Sequence, residues 1–280
     1  MKIAILSGKG GTGKTTVATN LLSVSDSGVL IDTDVEEPNS HLFLKPQIQK
    51  TEAIKKRYPI VDESLCDLCG ACGDFCRFNA ILPAKKSVLV FKELCHDCGG
   101  CQMVCPNDAI RYKERSIGMV YSGHTITGHE MHYGELTVGE ISGVPIIERL
   151  REITMDDDLV LIDCPPGTAC STVAAIDSAD FAILVAEPTP FGVSDMKMVV
   201  ELLRDLGIAM GVVVNKDGLG DKDIYQYCES EDIQILGRIP FKKEYARKYA
   251  GGNLISQVDD EYKSIIEGIL KQVMSQKEVV

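Results

Sequence analysis

The segment with the most specific chemistry lies near the start of the chain, at residues 7–16, and reads Ser-Gly-Lys-Gly-Gly-Thr-Gly-Lys-Thr-Thr. It contains the phosphate-loop pattern Gly-x₄-Gly-Lys-Thr, which Gly8, Gly13, Lys14 and Thr15 satisfy. Glycines let successive backbone N–H groups close around a phosphate, and a helix that begins after the loop adds a partial positive charge. The pattern predicts nucleotide binding, with Lys14 on the β- and γ-phosphates and the Thr15 hydroxyl on Mg²⁺. The other loop residues expected at the nucleotide are Gly10, Gly11, Thr12 and Thr16.

A second distinctive segment, between positions 66 and 105, holds eight of the 11 cysteines. They form two runs with the spacing Cys-x₂-Cys-x₂-Cys-x₃-Cys, the pattern of bacterial two-cluster ferredoxins, in which the fourth cysteine of each run ligates the other cluster. The spacing therefore predicts two [4Fe–4S] clusters with crossed ligation. Zinc is the alternative, and it fits less well because zinc sites favour paired Cys-x₂-Cys knuckles. The ligands expected for the first cluster are Cys66, Cys69, Cys72 and Cys105, and those for the second are Cys95, Cys98, Cys101 and Cys76.

The elements that must position these residues follow from the apolar runs on either side of the cysteine-rich segment. Short runs of Val, Ile and Leu predict buried parallel strands, and the amphipathic stretches between them predict helices. This alternation predicts a doubly wound, mostly parallel α/β sheet of the P-loop NTPase type over residues 1–57 and 116–280. Residues 58–115 are predicted to form an inserted, small α+β domain like a bacterial ferredoxin. Because residues 7–16 follow a strand and precede a helix, a glycine turn without a ligand is the weaker interpretation.

The early lysine of the phosphate loop, Lys9, makes the segment similar to the deviant Walker A motif of the MinD/Mrp superfamily. That superfamily includes cell-division and plasmid-partition ATPases, iron–sulfur carriers and the nitrogenase iron protein. The resemblance implies that Lys9 reaches the nucleotide of a partner subunit. It also implies that Asp34 orients or deprotonates the attacking water, that Asp163 holds Mg²⁺, and that Asn215 and Pro240 lie at the adenine base. A helix cap or a turn residue is the alternative interpretation for each strand-end Asp or Asn.

Together, these motifs predict an ATP-hydrolysing protein that couples a dimer rearrangement to electron transfer from two [4Fe–4S] clusters to an acceptor protein. The dimer implied by the resemblance is a homodimer or a heterodimer with a paralogous ATPase. An iron–sulfur cluster or metal carrier is the second hypothesis, because residues 163–168 read Asp-Cys-Pro-Pro-Gly-Thr and resemble switch II of the Mrp carriers. A positioning ATPase of the MinD/ParA type is the third.

Charge and hydropathy limit the partners. The chain has 29 basic and 41 acidic residues and a formal net charge of −12, which argues against a nucleic-acid partner. No apolar run approaches the length of a membrane-spanning helix, and the mixed charges of the C-terminal helix do not favour a surface anchor. We therefore expect a cytoplasmic location and no stable membrane insertion.

Four residues are left without an assigned role. Cys170 lies seven residues after Asp163, the spacing at which the nitrogenase iron protein keeps a cluster ligand. A functional thiol is therefore one interpretation of Cys170, and a buried structural cysteine is the other. His124, His129 and His132 lie within a glycine-containing stretch that suggests a loop. Metal binding or proton delivery and a merely polar surface are both open interpretations of these histidines.

Overall fold

The computed structural model describes residues 1–154, 157–220 and 222–276. The chain forms two compact units. The first, which we call the sheet unit, comprises Met1–Thr51, Val120–Glu135 and Val144–Val280. The second, the cysteine unit, comprises Glu52–Met119 and Leu136–Gly143. The predicted insert of residues 58–115 falls inside the cysteine unit, which is longer at both ends.

Eleven strands are present in the described residues. They are β1 (Lys2–Leu6), β2 (Val29–Asp32), β3 (Gln47–Val61), β4 (Ile81–Pro83), β5 (Val88–Val90), β6 (Ile110–His124), β7 (Glu130–Leu136), β8 (Val160–Asp163), β9 (Phe181–Ala186), β10 (Ala209–Asp217) and β11 (Gln234–Pro240). Nine of them form one sheet in the order β11-β10-β9-β1-β8-β2-β7-β6-β3, and β4 pairs with β5. The residue ranges of β3 and β6 each include residues of both units.

The described residues form ten α-helices, and those of the sheet unit alternate with its strands, as predicted. They are α1 (Lys14–Val24), α2 (Ser40–Leu44), α3 (Ala71–Phe75), α4 (Gly100–Met103), α5 (Val144–Ile153), α6 (Cys170–Ile176), α7 (Pro190–Asp205), α8 (Asp223–Ser230), α9 (Lys243–Ala250) and α10 (Asp260–Ser275), with short 3₁₀ turns at Lys92–Leu94 and Ile255–Gln257. None of the helices in the described part of the chain is both long and apolar enough to cross a membrane.

The sheet unit is the mostly parallel α/β sheet that the apolar runs predict. Strands β1, β8, β2 and β7 pair in parallel in that order, as do β1, β9, β10 and β11 on the other side. Residues of β1, β8 and β9 are almost entirely buried, because both faces of these central strands are covered. On one face they pack against apolar residues of α1 and α10, such as Leu21, Ile266 and Ile269. Because the strands are parallel, their carboxyl ends lie at one edge of the sheet. Asp163 ends β8 there, and the loops that lead to Lys14 and Asp34 begin there.

The cysteine unit repeats one local structure twice. The short helices α3 and α4 follow Gly70 and Gly99, whose φ angles are +88° and +78°. After the last cysteine of each run, a backbone N–H four residues further on donates to that cysteine's sulfur at 3.3 Å: Ala80 to Cys76 Sγ, and Ala109 to Cys105 Sγ. The repeated geometry explains why the two cysteine runs have the same spacing.

Candidate nucleotide site and cysteine cavities

The sheet unit has a cavity of about 420 Å³ at the carboxyl ends of its strands. It brings together the phosphate loop, the start of α1 and the loops after β2, β10 and β11. Of the residues expected at the nucleotide, those that line it are Gly10, Gly11, Gly13, Lys14, Thr15, Thr16, Asp34, Asn215 and Pro240.

The phosphate loop requires glycine at two positions for different reasons. A Cβ at Gly8 would lie 2.3 Å from the carbonyl oxygen of Asp195, so a side chain cannot fit there. Gly13 has a φ of +98° and immediately precedes α1, and a Cβ there would lie 2.3 Å from Asn215 Nδ2. Thr12 lies between these constraints, and its buried hydroxyl has no hydrogen-bond partner among the described residues. Both glycine positions therefore exclude a side chain.

Asn215 supports the phosphate loop from β10. Its Nδ2 donates to the carbonyl oxygen of Thr12 at 2.7 Å, and its Oδ1 accepts the N–H of Lys216 at 2.9 Å. The expectation from the resemblance was an adenine contact. In the structure Asn215 lines the cavity and at the same time fixes the loop, a role that the sequence pattern did not reveal.

Two carboxylates meet beside the loop, at the carboxyl ends of β2 and β8. Asp32 is fully buried. Its oxygens accept the backbone N–H groups of Asp34, Asn39 and Ser40 at 3.0–3.1 Å. The buried hydroxyl of Ser40 donates to Asp163 Oδ2 at 2.8 Å. Ser40 thus ties the segment after β2 to the segment after β8.

Burial sets the electrostatics of this pair. It raises the pKa of Asp163, and burial together with the neighbouring Asp163 raises the pKa of Asp32 to about 8, although three backbone N–H groups act against this shift. Asp163 Oδ1 is buried and has no hydrogen-bond partner among the described residues. A buried carboxylate oxygen without a donor is a ready ligand for a cation, so the donor set fits the predicted Mg²⁺ site with Asp163 and Thr15 as its residues.

Asp34 lies half-buried in the cavity, close to Lys14, whose side chain is buried. Burial raises the pKa of Asp34 to about 6, while the charge of Lys14 acts in the opposite direction. At neutral pH the carboxylate is therefore ionised, with a basicity suited to orienting water or accepting a proton from it.

Lys9, the early lysine, contacts a residue that sequence reasoning missed. Its Nζ lies 3.9 Å from Glu187 Oε2, and its side chain is 38% exposed. Glu187 also holds Lys216, whose Nζ donates to the carbonyl oxygen of Gly11 at 3.2 Å. Glu187 follows β9 directly, and its place at a strand end is the one signal in the sequence that could have drawn attention to it.

Aromatic rings form the wall of the cavity away from the phosphate loop. Phe241, Tyr245, Tyr249 and Tyr262 line it, and Tyr245 meets Tyr262 edge-to-face with ring centroids 5.0 Å apart. These residues come from the loop after β11 and from α9 and α10. Phe241 directly follows Pro240, and the resemblance implies that this loop closes over the base, whereas Tyr245, Tyr249 and Tyr262 were not assigned to the site from the sequence.

The cysteine unit contains two smaller cavities that divide the eight cysteines. Cys66, Cys69, Cys72 and Cys105 line the first, and Cys76, Cys95, Cys98 and Cys101 line the second. Each cavity thus takes three cysteines from one run and the last cysteine of the other run. All eight thiols are free of disulfide bonds. Over residues 1–154, 157–220 and 222–276, no three His, Cys, Asp or Glu side chains converge closely enough to hold a single metal ion.

The remaining candidate residues lie elsewhere in the sheet unit. Cys170 is exposed at the start of α6, so the alternative of a buried structural cysteine is wrong. The expectation of a loop is correct only for His129, since His124 ends β6 and His132 lies in β7. Glu130 Oε1 and Oε2 lie 3.5 Å from the Nε2 atoms of His124 and His132, and burial lowers the pKa of His132.

Comparison with known proteins assigns the class. The model of the CbiA family, described as the CobQ/CobB/MinD/ParA nucleotide binding domain, matches residues 3–255. The chain therefore belongs to this nucleotide-binding family, and it is a P-loop ATPase, as the phosphate loop predicts.

Individual relatives add detail. An uncharacterized protein of Methanocaldococcus jannaschii is 34% identical over 95% of this chain and 95% of its own length. An iron–sulfur cluster carrier protein of the same organism is 24% identical over 99% of this chain and 86% of its own. The septum site-determining protein MinD of Pyrococcus horikoshii, solved as a complex with Mg-ADP, shares the fold with a TM-score of 0.61 and 20% identity, covering 97% of this chain and 95% of its own.

Proposed function

We propose that this protein couples ATP hydrolysis in the sheet unit to electron transfer from two [4Fe–4S] clusters, held by the cysteine unit, to an acceptor protein. One observation carries the proposal. Eight free cysteines are divided between two cavities, four to each, and each cavity combines three cysteines of one run with the last cysteine of the other. This is the grouping that the spacing of two-cluster ferredoxins requires. Two clusters in one small unit favour electron transfer over a purely structural role.

The residues present fit such clusters. A cubane binds each thiolate at a different iron, so its four cysteines surround a volume and need not converge on one ion. The apolar core of the cysteine unit is small: one cluster of buried side chains in it consists of Ile81, Cys101 and Ile110, packed against half-buried residues such as Val61 and Val90. Such a unit needs further stabilisation, and bound clusters would supply it by cross-linking its two halves.

In the sheet unit, the proposed roles follow from position. Lys14 and the backbone N–H groups of the loop bind the phosphates of ATP, and Asp34 orients the attacking water. Thr15 and Asp163 hold Mg²⁺, which when bound offsets the charge that develops on the phosphates.

The coupling is proposed to act through Ser40. Its hydroxyl donates to Asp163 and its backbone N–H donates to Asp32. A ligand that binds Asp163 would therefore change the position of the segments that follow Asp32 and Asp163. ATP and ADP differ in the γ-phosphate beside Asp34 and Asp163, so they can favour different positions of α2. Lys9 is proposed to leave Glu187 and reach the nucleotide of a second subunit, which makes a homodimer or a heterodimer with a paralogue the active form.

A second candidate, an iron–sulfur cluster carrier, is favoured by the carrier proteins among the relatives. In that case the clusters are cargo. The two functions differ in what leaves the protein: an electron in the first, iron and sulfide in the second.

Protein purified without oxygen provides the test. We expect about eight irons and eight sulfides per chain, and spin-coupled electron paramagnetic resonance signals after reduction with dithionite. The reduced protein is then mixed with ATP and either a low-potential redox dye or an apo-ferredoxin. Oxidation with iron retained supports electron transfer, whereas movement of iron to the apo-ferredoxin supports the carrier. Zinc in place of iron would contradict both.

A further inference from the structure

The two halves of the cysteine unit differ at one structurally equivalent position. The repeat aligns Ala80 with Ala109, because each donates its N–H to the last cysteine of its run. Three residues further on, the first half has Pro83 and the second has Tyr112. Pro83 lines the first cavity and Tyr112 lines the second, so the same point of the repeated scaffold faces each set of cysteines.

The difference matters because only one of these residues can donate a hydrogen bond. The Tyr112 hydroxyl lies 3.2 Å from Cys101 Sγ. When Cys101 is a thiolate ligand it has no proton to give, so the tyrosine is the donor and the sulfur the acceptor. Pro83 has neither a hydroxyl nor an N–H. Among the described residues, no side-chain donor to the sulfurs of the first cavity corresponds to it.

The second cavity also differs in burial and charge. Cys95 and Cys101 are buried, with 6% and 7% of their surfaces exposed, whereas no cysteine of the first cavity is buried. Less water around the second set makes an added negative charge less favourable there. The cation of Arg77 lines the second cavity, while the carboxylate of Asp67 lines the first. The carboxylate of Asp97, which is also near the second set, is paired with Arg57 at 3.1 Å.

We propose that Tyr112 selectively raises the reduction potential of the cluster held by Cys76, Cys95, Cys98 and Cys101. This less exposed site can then accept an electron from the same low-potential donor as the other cluster. The inference rests on the proposed presence of two clusters. One-electron reduction adds one negative charge to a site and forms or breaks no bond and moves no proton. Tyr112 stabilises that charge through its hydrogen bond to Cys101.

The test compares Tyr112→Phe with the wild type and with Tyr121→Phe in anaerobic redox titrations followed by electron paramagnetic resonance. Tyr121 lies on the same strand, and its hydroxyl donates to Glu135 in the sheet unit, so it controls for the substitution itself. We expect Tyr112→Phe to lower one of the two reduction potentials by about 59 mV, which for one electron is a tenfold change in the reduction equilibrium. The other reduction potential should not change. Tyr121→Phe should change neither.

Iron and sulfide content, measured on the same samples, separates the two proposals. Absence of iron from the wild type would contradict the proposed clusters. Wild-type protein with two clusters, in which Tyr112→Phe alters neither potential or both equally, would overturn the role of Tyr112 alone. Arg77→Gln provides a second variant in case Tyr112→Phe does not load iron. It removes a cation from the second cavity and should lower the same single potential, by less because Arg77 is exposed.

Discussion

The hydrogen bond from Ser40 to Asp163 permits the sharpest test of how the phosphate site is held together. The substitution Ser40→Ala removes a buried hydroxyl that donates to a buried carboxylate at 2.8 Å. Such a bond to a charged group contributes about 1.5–3 kcal/mol, because the carboxylate left behind regains no water in exchange. We expect the nucleotide-free variant to lose about this much free energy of unfolding at a pH above the folded pKa of Asp163.

The loss should depend on pH in a defined direction. Burial raises the pKa of Asp163, so the folded protein takes up a proton at a higher pH than the unfolded chain does. The Ser40 hydroxyl favours the ionised carboxylate, and its contribution therefore decreases as the pH falls through the folded pKa of Asp163. Below that pKa the loss should approach the roughly 1 kcal/mol of a bond between neutral groups.

Urea unfolding followed by circular dichroism measures both values. Ser230→Ala is the matched control, because its hydroxyl donates only to the carbonyl oxygen of Tyr227 at an exposed position of the same unit. That variant should lose less than about 0.5 kcal/mol at either pH. Equal losses for the two variants, or a loss for Ser40→Ala that does not change with pH, would refute the reasoning.

Further predictions concern nucleotide binding, turnover and cluster content. Lys14→Ala should abolish ATP binding in calorimetry, and an unchanged affinity would exclude Lys14 from the site. Gly13→Ala should lower the thermal midpoint and weaken ATP binding, because its φ is +98° and its Cβ would contact Asn215. Asp34→Asn should lower the ATP turnover rate about 10²-fold while ATP still binds. In the wild type, the turnover rate should decrease as the pH is lowered through about 6, because Asp34 becomes protonated. A turnover rate that does not change with pH would contradict this. Cys76→Ser should perturb one cluster only, seen as loss of about four irons or one altered signal.

The sequence predicted the parts of the site that depend on local spacing. Gly13, Lys14 and Thr15 lie next to one another in the chain, so one short pattern specifies the phosphate loop. The parallel strands were predictable because strands covered on both faces are continuously apolar, as in β1 and β9. The cysteine runs were recognisable for the same reason, since three ligands of each set occupy one short segment.

The missed residues are those whose role depends on distant contacts. Ser40 resembles any serine until β8 brings Asp163 to it, 123 positions away. Glu187 gains its role from lysines on two other loops. Likewise, the hydroxyl of Tyr112 can act on a cluster only because Cys101 lies next to it, and no periodicity in the sequence predicts this contact. Asn215 was assigned to the base, whereas its amide also holds Thr12.

The central claim is that ATP turnover controls electron transfer, and stopped-flow oxidation of dithionite-reduced protein by a low-potential acceptor measures this directly. We expect fast oxidation with ATP, slow oxidation with ADP or with a non-hydrolysable analogue, and slow oxidation of Lys14→Ala under all three conditions. An oxidation rate that is the same with and without ATP, in protein that contains its full iron and sulfide, would contradict the account.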